Sequence, residues 1–400
     1  MKISLQTGMR LWSLCGTRTL LRLAWNMGFK GILAINAFGR RRRQGRVIPP
    51  FLFLSITNQC NLHCQGCWVH QTSPPKQITP DHLNQIITSF KRRGSSFFGI
   101  LGGEPLLYPG LWDVLRQHPD CYFQVFTNGT LLTEEHAKTM RRLGNVTPLI
   151  SLEGLERVSD ERRGGRNVYS GALRGIEHCV RQKLFTGIAS SICQSNFDEL
   201  VNPGFVRQVM NLGASYLWYY MYRPSGMNPH VELALQKHQV FKLRRFLVEE
   251  RCRTPLMLVD AYWDAQGKAL CPAAVGISHH VNPSGQVEPC PPMQWSCDTL
   301  LHGEDPVKTI QKSSFLEAFR DYAAKTSRGC PLLDNPQGLA DFMKRVNAQD
   351  SSGRATHFQE LKTRPSCLCS HDLGRFAIPD KNRIYRFAKK HWFFGFGAYG

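Results

Sequence analysis

From residue 51 onward, short apolar runs alternate with stretches whose apolar positions recur at helical spacing. The runs at 51–57, 97–101, 122–126, 147–152, 187–192 and 214–221 read as buried strands. Between them, 81–90, 132–143, 168–182 and 205–211 carry the recurrence of amphipathic helices, the first with Asp81 as its predicted cap. Strands that alternate with helices predict an α/β fold of right-handed βα units around a parallel sheet. Six strands fall short of the eight that close a (β/α)8 barrel. In such sheets ligands bind at the C-terminal ends of the strands, so the loops that follow each run are where chemistry is expected.

Residues 1–48 have another texture. They read as helical and amphipathic, with Leu11, Trp12, Leu14, Leu21, Trp25, Phe29 and Ile32 set among bases and the run Arg40, Arg41, Arg42, Arg43 before Pro49 and Pro50. Beyond residue 251 the helix–strand rhythm fades, Pro and Gly become frequent, and cysteines recur, which suggests a segment held by metal rather than by a large apolar core. The predicted organisation is a basic arm at 1–48, a barrel at 49–250, a Cys-rich irregular domain at 251–379 and a basic aromatic tail at 380–400.

Composition sharpens this outline. Apolar residues at 42% and charged ones at 20% exclude a disordered chain and a polytopic membrane protein. The formal net charge of +20 is concentrated at the ends: the first fifty residues hold ten bases and no carboxylate, and 380–400 hold five bases against Asp380. A basic helix with Trp and Phe on its apolar side suits an anionic bilayer surface, and Phe387, Trp392, Phe393, Phe394, Phe396 and Tyr399 beside Lys389 and Lys390 suggest an interfacial tail. Packing against the barrel is the alternative for both. Arg10, Arg18, Arg22 and Lys30 interrupt the N-terminal apolar residues, leaving no span of bilayer length. Fourteen cysteines in a chain this long, with no convincing signal peptide, point to metal in a reducing cytoplasm rather than to disulfides. The expected address is cytoplasmic, peripheral on the inner face of the membrane.

Cys60, Cys64 and Cys67 follow the first strand in a Cys-x3-Cys-x2-Cys spacing, with Trp68 next. Three thiolates on one loop can hold three irons of a [4Fe–4S] cluster and leave the fourth open to a ligand; a zinc site completed by His63 or His70 is the alternative. Gly102, Gly103 and Glu104 end the second strand, Thr127, Asn128 and Gly129 the third, and Ser151 and Glu153 the fourth, with Arg163 a short way on. Each motif alone reads as a turn. Four in order at successive strand ends read as one ligand site.

These motifs resemble the radical S-adenosylmethionine (SAM) superfamily over about residues 51–250. The resemblance implies a partial (β/α)6 barrel in which Cys60, Cys64 and Cys67 hold the cluster and its free iron chelates SAM. An electron delivered by a donor such as flavodoxin or ferredoxin would cleave SAM to methionine and a 5′-deoxyadenosyl radical that abstracts hydrogen from substrate. Gly102, Gly103 and Glu104 would meet the SAM amino group, Ser151 and Glu153 its ribose or carboxylate, and Arg163 its carboxylate. Gly66 departs from the larger residue often found before the third cysteine, which leaves the adenine contacts open.

Cys271, Gly285 and Cys290 resemble the opening of the SPASM and twitch auxiliary-cluster domains that follow such barrels. Cys297, Cys330, Cys367 and Cys369 complete the candidate ligands, although they lack the tight run of the full SPASM pattern. They fit one complete [4Fe–4S] cluster with two spare thiols, or one plus a second with open or non-Cys ligation; structural zinc is the alternative. Cys15, Cys121, Cys179 and Cys193 read as packed thiols. Tyr219, Tyr220, Tyr222 and Arg223 could shape a pocket or a wall, while nothing in the spacing supports Asp260, His279 or His280 as acid or base. The functional expectation is hydrogen abstraction from a peptide, a protein or a membrane lipid. The alternatives are a non-catalytic iron–sulfur or zinc scaffold or electron carrier and, more distantly, RNA modification; nucleic acid is not an expected partner.

Overall fold

The computed structural model describes residues 2–365 and 370–392. All six predicted strands are present: β1 (Phe51–Ser55), β2 (Phe97–Leu101), β3 (Tyr122–Thr127), β4 (Val146–Ser151), β5 (Gly187–Ile192) and β6 (Tyr216–Met221). They lie side by side in sequence order and are parallel throughout. Helix Pro80–Lys91 shows how the outer layer forms: Leu83, Ile86, Ile87 and Phe90 face the sheet at helical spacing and are buried. Its cap is Thr79, whose hydroxyl accepts from His82 N, and not Asp81, which sits inside the first turn behind Pro80.

The sheet does not stop at six strands. β7 (Met257–Val259) adds in parallel to β6, and the hairpin of β8 (Ser278–Val281) and β9 (Val287–Glu288) adds to the other edge, with β8 parallel to β1. The order is β7-β6-β5-β4-β3-β2-β1-β8-β9, a partial barrel widened at both edges. The segment after residue 251 is therefore less irregular than its sequence suggests. Helices Pro306–Lys312, Ser314–Thr326 and Pro336–Arg345 bury Ile310, Phe315, Phe319, Leu339 and Met343 in continuity with the barrel core, so apolar packing holds this region too.

The N-terminal arm is a chain of short helices, Lys2–Leu14, Thr17–Arg22, a π-helical turn Leu23–Phe29 and Lys30–Arg43. It passes beneath the N-terminal ends of the strands. Arg10 donates to Met210 O and Ala214 O before β6, Gly16 N to Lys183 O before β5, Arg22 to Leu143 O before β4, and Lys30 to Asp120 O before β3. Leu11, Leu14, Cys15, Met27, Ile35 and Phe38 point inward against strand residues such as Tyr216, Phe51 and Tyr122. The arm is thus the floor of the barrel, and its apolar residues divide between two faces instead of forming the single one expected.

The terminal helix Arg383–His391 closes the same end. Asp380 and Lys389 join Arg244, Arg251 and Asp260 in a cluster whose side chains are all nearly inaccessible. Asp380 meets Arg251 at 2.8 Å, Arg244 at 3.0 Å and Lys389 at 3.2 Å. Asp260, the residue that follows β7, is thereby an ion-pair partner at the β7 edge of the sheet, where the terminal helix also accepts from Leu258 N through the Tyr385 hydroxyl.

Candidate active site

β1 ends at Ser55, and the chain leaves the sheet into the loop that carries Cys60, Cys64 and Cys67. The glycines that end β2 are required by this loop. A Cβ on Gly102 would lie 2.8 Å from Thr57 O, and one on Gly103 2.2 Å from Gln59 O. Gly103 N and Glu104 N donate to those same two carbonyls, both at 2.7 Å. The close approach is therefore to the cysteine loop's own backbone. Glu104 is fully buried, accepting from Thr127 Oγ1 at 2.7 Å, Asn128 N at 2.8 Å and Leu106 N at 3.1 Å. Burial raises this carboxyl above its usual range despite those donors. Its side chain ties the β2 and β3 turns together, which differs from a carboxylate held ready for a ligand.

The thiols of the loop resist ionisation. Burial, then the neighbouring Glu104 and Cys64, push Cys60 up to about 11. Cys67 is pushed up by burial and by Cys64 and Cys60, although part of the residue is exposed. Arg163 supplies the nearest compensating charge, with Nη1 3.8 Å from Cys64 Sγ and Nη2 paired to Glu153 Oε1. Burial opposes its charge, but Glu153 and Cys64 raise it, so the guanidinium stays protonated. The other oxygen of Glu153 accepts from Ser191 N at 2.9 Å. Ser151, Glu153 and Arg163 thus meet on one wall, whereas Glu104 lies behind it.

Gly66 has φ +64°, and a Cβ there would lie 1.8 Å from the Tyr222 hydroxyl. The aromatic ring that the cysteine loop lacks comes instead from the end of β6, where Tyr222 donates to Pro229 O and lies under Arg162, 5.1 Å from its ring centroid. Trp68 stands on His280 at 5.3 Å, edge to face. His280 is itself fixed between Ser55 Oγ at 2.7 Å and Glu288 Oε2 at 2.6 Å, all three buried. Glu288 is held in turn by Ser351 and Asn282. This chain joins β1, just before the cysteine loop, to the hairpin of β8 and β9.

That hairpin brings the second cysteine set to the same cleft. The turn at Asn282 and Gly285, the latter at φ +73°, reverses the strand so that Cys271 and Cys290 face one another. Cys330 joins them from the start of helix Pro331–Asp334. Cys271 is raised to about 12 by burial and then by Cys330, and Cys290 is raised by burial and then by Cys271 and Cys330. Arg223 reaches Cys330 and contacts His371 Nδ1 at 3.2 Å. Partly buried Arg163 thus stands against the first thiol group, and partly buried Arg223 with buried Arg364 against the second. Cys297 does not line this cleft: it is exposed, turned toward Val346 O and Asn347 O. Cys367 and Cys369 lie outside the described residues. Among the described residues no three His, Cys, Asp or Glu side chains converge as a single metal ion would require, and His70 lines a separate small pocket. The packed thiols Cys15, Cys121, Cys179 and Cys193 are buried as expected.

Beside the cysteine loop, lined by its Gly66 and Trp68, lies a cavity of about 390 Å³ that reaches the second thiol group. Ser151, Glu153, Arg163 and Gly66 line one side, and Cys271, Cys290 and Cys330 the other. Phe126, Trp218, Tyr220, Tyr262 and His279 form its aromatic wall, Trp218 stacked on Tyr220 at 5.0 Å. Trp218 Nε1 and the Tyr220 hydroxyl are buried without hydrogen-bond partners. Tyr219 is turned away, its hydroxyl donating to Leu200 O. Strand alternation through β6 separates these neighbours, a signal present in the sequence once the inward face is known. The grouping of Cys330 with Cys271 and Cys290 had no local sequence signal.

Residues 54–193 match the Radical SAM superfamily. A sporulation killing factor maturation protein, SkfB, of Bacillus subtilis is 26% identical over 170 residues, 42% of this chain and 41% of that protein. An AdoMet-dependent heme synthase of Oleidesulfovibrio alaskensis is 23% identical over 300 residues, 66% of this chain and 75% of the synthase. Among solved structures, Streptococcus suis SuiB bound to its precursor peptide SuiA aligns with TM-score 0.57 at 12% identity, covering 71% of this chain and 70% of SuiB. That likeness is one of fold. The chain spans less than half the length of several curated relatives it matches, the maturation protein among them.

Proposed function

For a chain that carries a radical SAM domain over residues 54–193, we propose the activity of a radical SAM enzyme that abstracts hydrogen from a peptide or protein substrate, with an auxiliary iron–sulfur site facing the reaction. One observation carries the proposal: a single cavity has the Ser151–Glu153–Arg163 wall on one side and a three-thiol group on the other. The donor sets fit iron–sulfur groups, because soft thiols gathered at one place and raised by burial need a cationic centre to ionise.

Cys60, Cys64 and Cys67 would hold the catalytic cluster, and Cys271, Cys290 and Cys330 the auxiliary one. A [4Fe–4S] cluster with SAM, when bound, supplies reductive cleavage of the sulfonium to methionine and a 5′-deoxyadenosyl radical. The electron would come from a reduced flavodoxin- or ferredoxin-type donor. Arg163, already charged and braced by Glu153, is placed to pair with a carboxylate. Gly102 and Gly103 keep the β2 turn against the cysteine loop, and Glu104 braces that turn from behind. Tyr222 fills the space left by Gly66 and offers a ring for an adenine. The aromatic wall excludes water from the reacting carbon. Trp218 Nε1 and the Tyr220 hydroxyl present two unmet donors to the cavity, suited to a peptide carbonyl.

The peptide reading is supported by a maturation protein among the relatives and by a structural neighbour that holds a precursor peptide. The heme synthase alignment runs further along the chain and makes a tetrapyrrole the competing substrate class. We place the protein at the surface of an anionic membrane through its basic arm and tail; among the described residues no helix is long and apolar enough to cross one. The deciding assay is anaerobic reconstitution followed by iron and sulfide counting and measurement of 5′-deoxyadenosine with dithionite and SAM. Cleavage that disappears in the C60A/C64A/C67A variant is expected. Iron bound without any cleavage would instead leave a non-catalytic scaffold or electron carrier.

A further inference from the structure

The arm that forms the barrel floor also has an outward face. Leu5, Met9 and Trp12 recur at helical spacing on its first helix and are 66, 64 and 69% exposed. Leu21, Trp25, Phe29 and Leu33 form a second row with 49–66% exposure, Trp25 stacked on Phe29 at 5.0 Å. Ile384 and Phe387 form a third on the terminal helix, 54 and 58% exposed. The helices that carry these rows are neighbours. The first and terminal helices share a groove lined by Ile3, Thr7, Tyr385 and Ala388, and Trp392 Nε1 donates to Met27 O. A continuous apolar surface of this size on a folded chain marks an interaction site.

Its surroundings select the occupant. Arg18, Arg40, Arg42, Arg43 and Arg46 are exposed on the arm, and Lys381, Arg383, Arg386 and Lys390 on the terminal segment. Residues 1–50 and 381–400 contain no carboxylate. Exposed Trp and Phe with Arg and Lys, and no acid from either segment among them, match the interface of an anionic bilayer, where rings settle at headgroup depth and bases meet lipid phosphates; the barrel's Asp120 beside Lys30 is paired with Lys91.

We propose that the barrel floor is the membrane-docking face, so that the docked enzyme holds its reaction cleft on the side away from the lipid. This deepens the surface association proposed above and rests on it, but not on the radical chemistry. The floor lies at the N-terminal ends of the strands and the cysteine loop at their C-terminal ends. Strands of five and six residues separate the two by roughly 17–20 Å. A headgroup in the docked bilayer stays about that far from the cysteine loop, so the substrate arrives from the water phase. This favours a peptide over a membrane lipid.

Removing the arm would open the barrel, so the test substitutes only its outward side chains in the full chain. Phosphatidylcholine–phosphatidylglycerol vesicles should sediment the protein, and pure phosphatidylcholine vesicles at least roughly tenfold less. W12S/W25S/F29S should weaken binding by at least roughly tenfold while leaving the melting profile and the iron content unchanged. W12F/W25F should still bind, but most of the quenching of tryptophan fluorescence by brominated acyl chains should be lost, since Trp68 and Trp218 stay clear of the bilayer and Trp392 is the partly buried tryptophan left on this face. Failure of the unaltered protein to bind vesicles would overturn the surface association itself. Binding that survives W12S/W25S/F29S, or quenching that is undiminished in W12F/W25F, would overturn only the docking face. A dimer that the serine variant dissociates and that ignores vesicles would assign the face to a second copy of the chain.

Discussion

The five-residue charge cluster at the β7 edge of the barrel permits a prediction that depends on counting. Arg244, Arg251 and Lys389 are three buried cations against the two carboxylates of Asp260 and Asp380, and Arg244 Nη1 has no hydrogen-bond partner. Asp380→Ala leaves three cations facing one anion. Breaking a buried network by removing the scarcer charge costs about 3–5 kcal/mol. Lys389→Met leaves two of each sign and fills the same space with a flexible apolar chain, so about 1 kcal/mol is expected. With an unfolding entropy of about 2.1 cal/mol/K per residue, a chain of 400 residues loses about 1.2 °C of melting temperature per kcal/mol. Asp380→Ala should therefore lower the midpoint by about 4–6 °C and Lys389→Met by about 1 °C, read by circular dichroism or calorimetry. Acid gives a second readout. Burial alone would raise Asp380, but Arg251, Lys389 and Arg244 outweigh it and hold the carboxyl at about 2, below its ordinary 3.8. Because the folded value is the lower one, this stabilisation is present above the ordinary value and is lost as pH falls from there toward 2. Asp380→Asn should flatten the loss of stability in that window. If Lys389→Met lowers the midpoint as much as Asp380→Ala, the excess of buried cations does not govern the cluster and the reasoning fails.

Other substitutions test the cleft. Single alanine variants at Cys271, Cys290 and Cys330 should each lower iron after reconstitution by the same amount, while Cys297→Ala leaves it unchanged; an iron loss at Cys297 would refute the grouping. Gly66→Ala introduces both a positive-φ strain and a clash with Tyr222, so it should destabilise the chain by about 1–3 kcal/mol. Tyr222→Ala combined with it should restore part of that loss in a thermal melt. Glu104→Ala strips three buried donors of their acceptor and should cost at least about 2 kcal/mol in chemical denaturation, even in apoprotein.

The sequence made the barrel readable because its strands are apolar on both faces and its helices keep one apolar stripe, as with Leu83, Ile86, Ile87 and Phe90. Residues 282–285 signal the turn of the edge hairpin, but its addition to the sheet beside β1 was hidden for the opposite reason. β8 buries Ser278, His279 and His280, a polar run with no alternation, and only the distant Ser55 and Glu288 make His280 tolerable there. The arm misled because both of its faces are apolar, one met by the strands and one left open. In the cleft, motifs local in sequence located the cysteine loop and the Glu153–Arg163 wall. Cys330 and Tyr222 arrive through tertiary folding alone, and spacing carries no record of that.

The placement of the terminal helix bears on how the protein is made. The ribosome releases Arg244, Arg251 and Asp260 long before Asp380 and Lys389, so a nascent barrel holds two arginines against one aspartate at its β7 edge. The floor is completed only when Trp392 reaches back across 365 residues to Met27. Contacts of such long sequence separation form late and make the closure slow. Loss of the segment from Asp380 onward would leave unbalanced buried charge, which quality control removes, and not a slightly shorter enzyme.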